Sequence, residues 1–292
     1  MGVLIDRDTS IIIQGITGKQ GSYHALQTIN YGANLVAGVT PGKGGQTVHG
    51  VPVYDLVSLA RESHHIDASL ILVPPPQVFA AGQEAIANGI RVVVIITEHV
   101  PIHDTMRLKS LARSVGVTLV GPNTIGVISP GRSKVGIMPG SMYRPGDIAI
   151  VSRSGTLCHE IASNLAKNGV GQSTCIGIGG DLVRGLGFVD SLRMFETDDE
   201  TGGIVLVDEI GGTGAEDAAR LIAAGYKKPV YAFVAGTSAP PGKKMGHAGA
   251  ILRDTRDSAA SKKATLKEAG ARVFDSIDEM VACIADRHRD RT

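Results

Sequence analysis

The sequence predicts an α/β protein made of two successive parallel sheets, each wound with helices. Three observations lead there. Short apolar runs recur at residues 10–13, 68–73, 91–97, 147–151, 203–207 and 229–234. They are apolar without alternation, as expected of strands covered on both faces. Stretches with helical spacing follow most of them, which makes repeated β-α-β units and a doubly wound sheet. The pattern also starts afresh after residues 121–146, a stretch with four prolines and six glycines. A length of 292 residues suits two domains.

The first half reads as follows. Ile11, Ile12 and Ile13 form a buried strand. Gln14-Gly15-Ile16-Thr17-Gly18-Lys19-Gln20-Gly21 follows, and then a helical pattern through Leu26 and Ile29. Strand, glycine loop and helix start aim backbone N–H groups at a phosphate. The spacing is G-x-x-G-x-x-G rather than the G-x-G-x-x-G of NAD sites. The next strand, 34–40, carries no ribose-binding acid, since no acidic residue occurs between Asp8 and Asp55. It runs instead into Pro41-Gly42-Lys43-Gly44-Gly45. A lysine in a glycine loop suits an additional phosphate, which argues for coenzyme A or NADP over NAD. Strands at 68–73, 91–97 and 117–120 and helices at 78–88 and from Asp104 to about Gly116 complete this half. In such a sheet, ligands sit at the carboxyl ends of the strands. Residues 15–21, Lys43, 74–76 and Thr97-Glu98 therefore outline one cleft.

In the second half, a strand at 147–151 meets Ser152-Arg153-Ser154-Gly155-Thr156 and a helix over 157–167. Ser154, Gly155 and Thr156 at a helix start leave N–H groups available to an anion. Strands at 173–178, 203–207 and 229–234 end at Gly179-Gly180-Asp181, at Asp208-Glu209-Ile210-Gly211-Gly212 and at the loop that reaches His247. A helix over 259–269, a short strand at 271–274 and a last helix opened by Ser276…Glu279 as a capping box end the chain. Because parallel strands deliver their turns to one edge, Ser154, Asp181, Glu209 and His247 are expected to meet.

His247 stands out. It lies in Gly242-Lys243-Lys244-Met245-Gly246-His247-Ala248-Gly249-Ala250, between small residues that leave room for another group. Such a histidine can act as a base, a metal ligand or a nucleophile. As a nucleophile it would use Glu209 to fix its tautomer, with the 154–156 helix start receiving a phosphoryl group. A metal site lacks support, because the His64-His65 and His99…His103 clusters fall in loops or helix starts. A serine hydrolase lacks the G-x-S-x-G elbow.

Bulk properties narrow the class. A net charge of +1 predicts no strong attraction to nucleic acid or anionic membranes. Three widely spaced cysteines suggest neither a disulfide framework nor a zinc site, and so a reducing compartment. With no signal-peptide pattern and no apolar run of ~18 residues, a cytoplasmic protein is expected.

Taken in order, the motifs 14–21, 38–45 (Gly38-Val39-Thr40-Pro41-Gly42-Lys43), Ile96-Thr97-Glu98, Gly121-Pro122-Asn123, 136–140, 151–157, 171–175, 177–181, Glu209-Ile210-Gly211-Gly212 and 245–250 resemble those of succinate–CoA ligase (succinyl-CoA synthetase) alpha subunits over nearly the whole chain. The resemblance implies a Rossmann-like CoA-binding domain over 1–125, a connection over 126–145 and a flavodoxin-like phosphohistidine ligase domain over 146–292. It implies coenzyme A contacts at Thr17, Gly18, Lys19, Gln20, Lys43, Ile96, Thr97 and Glu98. It makes His247 the phosphohistidine and Glu209 its partner, with Asn123 and His159 toward the acid. It further implies a beta subunit of ATP-grasp fold, in an αβ or α₂β₂ assembly, that binds ATP or GTP with Mg²⁺. ATP or GTP phosphorylates the histidine, the phosphate passes to a small dicarboxylic acid, and the thiol of CoA displaces it, a step of the tricarboxylic acid cycle when the acid is succinate. The chain departs from the family at Thr124-Ile125, at Cys158-His159 where the family has Thr-Tyr, and at Leu182-Val183-Arg184. His159 and Arg184 add potential positive charge there, which would suit another acid such as malate or citrate. A non-catalytic CoA-binding subunit is the contrasting reading, opposed by the presence of both His247 and Glu209.

Overall fold

The computed structural model describes residues 2–240, 245–252 and 257–289 and divides into two compact units. The first comprises Met1–Met138 with Val183–Gly185, the second Pro139–Leu182 with Leu186–Thr292.

The first unit runs β1 (Ile11–Gln14), α1 (Lys19–Asn30), β2 (Leu35–Val39), β3 (Thr47–Val48), β4 (Val51–Tyr54), α2 (Val57–Ser63), β5 (Ala68–Ile71), α3 (Val78–Ala87), β6 (Val92–Ile95), α4 (Ile102–Ser114), β7 (Thr118–Val120), β8 (Gly126–Ser129) and β9 (Ser133–Gly136). Its sheet has the order β3-β4-β2-β1-β5-β6-β7. All pairs are parallel except β3 with β4. Leaving out the short β3, this is the 3-2-1-4-5-6 order of a Rossmann sheet. Ile11, Ile12, Ile13, Leu70, Ile71, Val93, Val94 and Ile95 are fully buried. Strands of four residues are held by that burial, about 1.5–3 kcal/mol for each such side chain, more than by ladder length. The registers Gln14↔Val39, Gln14↔Ile71, Ile71↔Ile95 and Val94↔Val120 bring the carboxyl ends of five strands level.

The second unit runs β10 (Pro145–Ser152), α5 (Gly155–Lys167), β11 (Gln172–Gly177), α6 (Phe188–Glu196), β12 (Gly203–Glu209), α7 (Gly214–Ala223), β13 (Val230–Ala235), α8 (Ala259–Glu268), β14 (Arg272–Phe274) and α9 (Ile277–Arg289). Its strands pair in parallel in the order β14-β13-β12-β10-β11, the flavodoxin-like 2-1-3-4-5 arrangement. Ser152 is opposite Gly177 on one side and Val207 on the other.

Two departures from the sequence reading concern the boundary and the edge. Residues 126–145, expected as a connection, contain the antiparallel hairpin β8–β9, and the first unit extends through it to Met138. All eight hairpin residues are buried, and Ser129 Oγ donates to Ile5 O at 2.9 Å. The glycines and prolines there mark turns around two short strands, because Val127, Ile128 and Val135 carry enough apolar surface to be driven inside. The edge elements β3, β4 and α2, and the helices α6 and α7, have no counterpart in the expected element list.

Candidate functional site

In the second unit, the turns after β10, β11 and β12 converge on one imidazole. Glu209, the last residue of β12, places both carboxylate oxygens 2.9 Å from His247 Nδ1. A carboxylate accepts, so Nδ1 carries a proton, and in the neutral form of the ring the lone pair is on Nε2. The His247 side chain is 29% exposed and that of Glu209 11%. Gly180, beyond β11, forms the wall under the ring: a Cβ there would lie 2.2 Å from His247 Cγ. The loop is pinned by its backbone, with Gly249 N donating to Gly180 O at 3.1 Å and Ala250 N to His247 O at 3.1 Å. Its upstream part, Gly242 with Lys243 and Lys244, lies outside the described residues.

The turn after β10 supplies the neighbouring helix start. Ser154 is the N-cap of α5, and its Oγ accepts from Leu157 N at 3.4 Å and lies 3.2 Å from Thr156 Oγ1. No acidic residue sits in the first turn of α5, so its positive end is left for an anion. The register of β10 against β12 places this helix start and Glu209 at the same sheet edge.

In the first unit, the level strand ends carry the other set. Between β1 and α1 the glycine loop turns at Gly15 (φ +87°), and a Cβ at Gly21 would lie 2.0 Å from Gly15 O. The first turn of α1 therefore packs directly on the loop backbone. Gly18, its N-cap, provides no side-chain cap, and no acid occupies the first turn. Gly18, Lys19 and Gln20 are exposed, and Thr17 is half-buried. Lys43 follows β2, where Asp55 Oδ1 accepts from Lys43 N at 3.0 Å and Gly44 N at 2.9 Å and shapes the loop. Ile96, Thr97 and Glu98 follow β6. Thr97 Oγ1 donates to Val73 O at 2.7 Å, its carbonyl accepts from Asn123 N at 3.1 Å, and the Glu98 side chain points to solvent. The eight positions thus lie on three strand ends of one edge. Among the described residues no group of three or more His, Cys, Asp or Glu side chains could hold a metal.

Family models match a stretch of each unit. The family model of the CoA binding domain matches residues 6–99, and that of the CoA-ligase matches residues 151–272. The chain is 51% identical over 289 residues to the alpha subunit of the ADP-forming succinate–CoA ligase of Methanothermobacter thermautotrophicus, covering 98% of each. The chain belongs to the succinate–CoA ligase alpha-subunit family. A second member, from Aquifex aeolicus, is 50% identical over 289 residues, with 97% of this chain and 95% of the relative covered. Among solved structures, ATP citrate lyase from Methanothrix soehngenii in complex with citrate and coenzyme A superposes with a TM-score of 0.91 at 24% identity. The alignment spans 99% of this chain and 51% of that one, so the chain matches about half of the lyase and shares its fold.

Within this alpha-subunit family, the departure at His159 reads differently once its surroundings are seen. His159 Nδ1 lies 2.6 Å from the Tyr143 hydroxyl, edge-on to its ring. Burial pushes the His159 pKa below the ordinary histidine value. Burial therefore disfavours the positive charge expected there, and the ring is a hydrogen-bonding partner of Tyr143. Burial also drives the Tyr143 phenol far above its ordinary value. Asn123, the other position expected toward the acid, lies in the first unit and adopts a left-handed backbone (φ 55°). The sequence assigns no role to Arg153, Asp208 or Lys262, which the fold buries beside Glu209. Their one sequence signal is a charged residue directly after or at the end of an apolar strand, as at Arg153 and Asp208; Lys262, inside an ordinary helix, gives none.

Proposed function

We propose that this chain is the catalytic alpha subunit of an acid–CoA ligase, with succinate as its acid and His247 as the carrier of a phosphoryl group. The observation that carries the reading is the 2.9 Å approach of both Glu209 oxygens to His247 Nδ1. With the Nδ1 proton held there, Nε2 is the nucleophile: it bonds to the terminal phosphorus of ATP or GTP as the bond to the bridging oxygen breaks and the diphosphate leaves. Glu209 stabilises the positive charge that the ring acquires. The helix start at Ser154, Gly155 and Thr156 receives the phosphoryl oxygens. A carboxylate oxygen of the acid then takes the phosphoryl group, which restores neutral His247 and yields an acyl phosphate.

The first-unit edge fits coenzyme A: an uncapped helix start, a loop too close to the helix for any side chain at Gly21, and exposed Lys19 and Lys43. Thr17, Gly18, Lys19, Gln20, Lys43, Ile96, Thr97 and Glu98 would hold it, and it supplies the thiol that converts the acyl phosphate to a thioester. The nucleotide and Mg²⁺ belong to a beta subunit of ATP-grasp fold.

Incubating the chain and its beta partner with γ-labelled ATP tests the phosphohistidine. Acid-labile, base-stable label is expected on the wild type and none on His247→Ala; an unlabelled wild type beside a demonstrably active partner refutes the reading. A panel of carboxylic acids assayed for thioester formation tests the substrate, and succinate no better than malate or citrate refutes that part.

A further inference from the structure

Behind His247 and Glu209 lies a set of buried charges to which the reaction above gives no task. The side chains of Arg153, Asp208 and Lys262 are 1%, 2% and 0% exposed. Lys262, on α8, places Nζ 2.8 Å from Asp208 Oδ2 and donates to Gly211 O at 3.0 Å. Asp208 Oδ1 accepts from Arg153 Nη1 at 3.0 Å. The same Nη1 donates to Glu209 O at 3.1 Å and Gly211 O at 2.7 Å, and Nη2 lies 3.1 Å from Glu209 Oε1. Glu209 then meets the imidazole. Five side chains from α8, β12, the turn after β10 and the histidine loop form one unbroken chain.

Taking four ions out of water costs several kcal/mol each, and apolar side chains of the same volume generally stabilise a core at least as well. The chain is therefore a poor device for stability and calls for another role. Its charges supply one. Arg153 and Lys262 balance Asp208 and Glu209 when the imidazole is neutral. With Lys262 removed, one negative charge is in excess, and the site favours an imidazolium, which has no lone pair for phosphorus. Arg153 also fixes direction: its Nη groups bind Asp208 and Glu209 at once, while its buried Nε has no partner among the described residues, so the two acids dictate where the guanidinium lies.

We infer that Arg153, Asp208 and Lys262 are positioning residues for His247, a buried chain that holds the Glu209 carboxylate against Nδ1 and balances its charge so that the ring stays a neutral nucleophile. Its purpose rests on the phosphohistidine reading; its geometry does not. Among the described residues, the charged and titratable groups grouped around His247 are Glu209 on β12, Arg153 after β10, Asp181 next to Gly180, and further back Asp208, Lys262 and Asp257.

The test uses Lys262→Met and Arg153→Lys in the assembled complex with the beta partner. One readout is the pH profile of label transfer from ATP, the other the ¹⁵N resonances of His247 in histidine-labelled protein, assigned with His247→Asn. Lys262→Met is expected to raise the His247 titration midpoint by about one unit, the order of magnitude for losing one charge within reach of the ring at an effective dielectric constant near 20. Label transfer then falls about tenfold at pH values below both midpoints and recovers at high pH. Arg153→Lys, which keeps the charge and loses the two-armed grip, is expected to shift the ring away from a fixed Nδ1–H tautomer. If Lys262→Met does not fold, the Arg153→Lys tautomer signal decides alone. Folded variants with wild-type titration, tautomer and acid limb overturn the inference. If the wild type takes no label yet the ¹⁵N changes appear, the phosphohistidine reading falls and the positioning chain stands.

Discussion

Gly180→Ala isolates the placement of His247 from every charge around it. Gly180 has no left-handed backbone, so alanine fits its φ and ψ without strain. The added Cβ would lie 2.2 Å from His247 Cγ, 2.4 Å from Cδ2 and 2.6 Å from Nδ1, where ordinary contact begins at 3.4 Å. The ring must therefore retreat by about 1.2 Å. Its hydrogen bonds to Glu209 are 2.9 Å long, so a retreat of that size breaks or misaligns them. Misplacement of a reacting group by about 1 Å costs on the order of 10²-fold in rate, or about 2.7 kcal/mol of transition-state stabilisation. The fold should lose far less, because a partly exposed ring can swing outward at about 0.5–1.5 kcal/mol of rotamer strain. The assay is the single-turnover rate of label transfer from γ-labelled ATP in the complex with the beta partner, alongside a thermal melt. A variant labelled within about threefold of the wild-type rate, with an unchanged melt, would mean that the wall beneath the ring has no part in catalysis.

Two further substitutions probe the first unit. Gly21→Ala places a Cβ 2.0 Å from Gly15 O and 2.8 Å from Ile16 Cα, both backbone atoms that cannot step aside. The overpacking should cost about 1–3 kcal/mol and weaken coenzyme A binding at least tenfold by calorimetry, and wild-type affinity would dissociate the loop from the ligand. Lys134 is buried at 3% exposure with its Nζ donating to Met138 O at 3.1 Å, and burial lowers its pKa below the ordinary 10.5. The folded state thus disfavours the ammonium: the penalty is complete at neutral pH and fades as pH rises through the lowered value toward 10.5. Lys134→Met should raise Tm at pH 7 by a few degrees for each ~1 kcal/mol relieved, with the gain shrinking near pH 10. A lower Tm at pH 7 would contradict this.

Much of the architecture could be read in the sequence because both sheets are covered on two faces. Ile11-Ile12-Ile13 and the run Val92-Val93-Val94-Ile95 are unbroken apolar stretches, and a strand buried on one face only would have alternated. The edge was harder. β4 holds Pro52 and alternates between buried and half-buried positions, so it presents neither a continuous run nor a clean strand signal. The hairpin β8–β9 was hidden by the turn residues around it. The pairing of His247 with Glu209 was legible because Glu209 ends an apolar strand and His247 lies in the loop after the next one, in a sheet whose strands run parallel. Lys262 was not, since a lysine in a helix ordinarily faces water and here it is fully buried. The potential charge at His159 was hard to judge for a related reason: sequence shows a titratable ring, and only the fold shows the burial that disfavours its charge and the phenol beside it.

The charge chain also has an order of arrival. Arg153 and Glu209 are 56 residues apart, Glu209 and His247 38, and Asp208 and Lys262 54. As the polypeptide leaves the ribosome, Arg153 emerges first, the two acids next, and Lys262 after His247. Until α8 has docked, Asp208 has only half of its cations and the interior that surrounds it is still costly to close. A chain interrupted before residue 262 thus has both the imidazole and the carboxylate yet lacks the ammonium that meets Asp208 in the core.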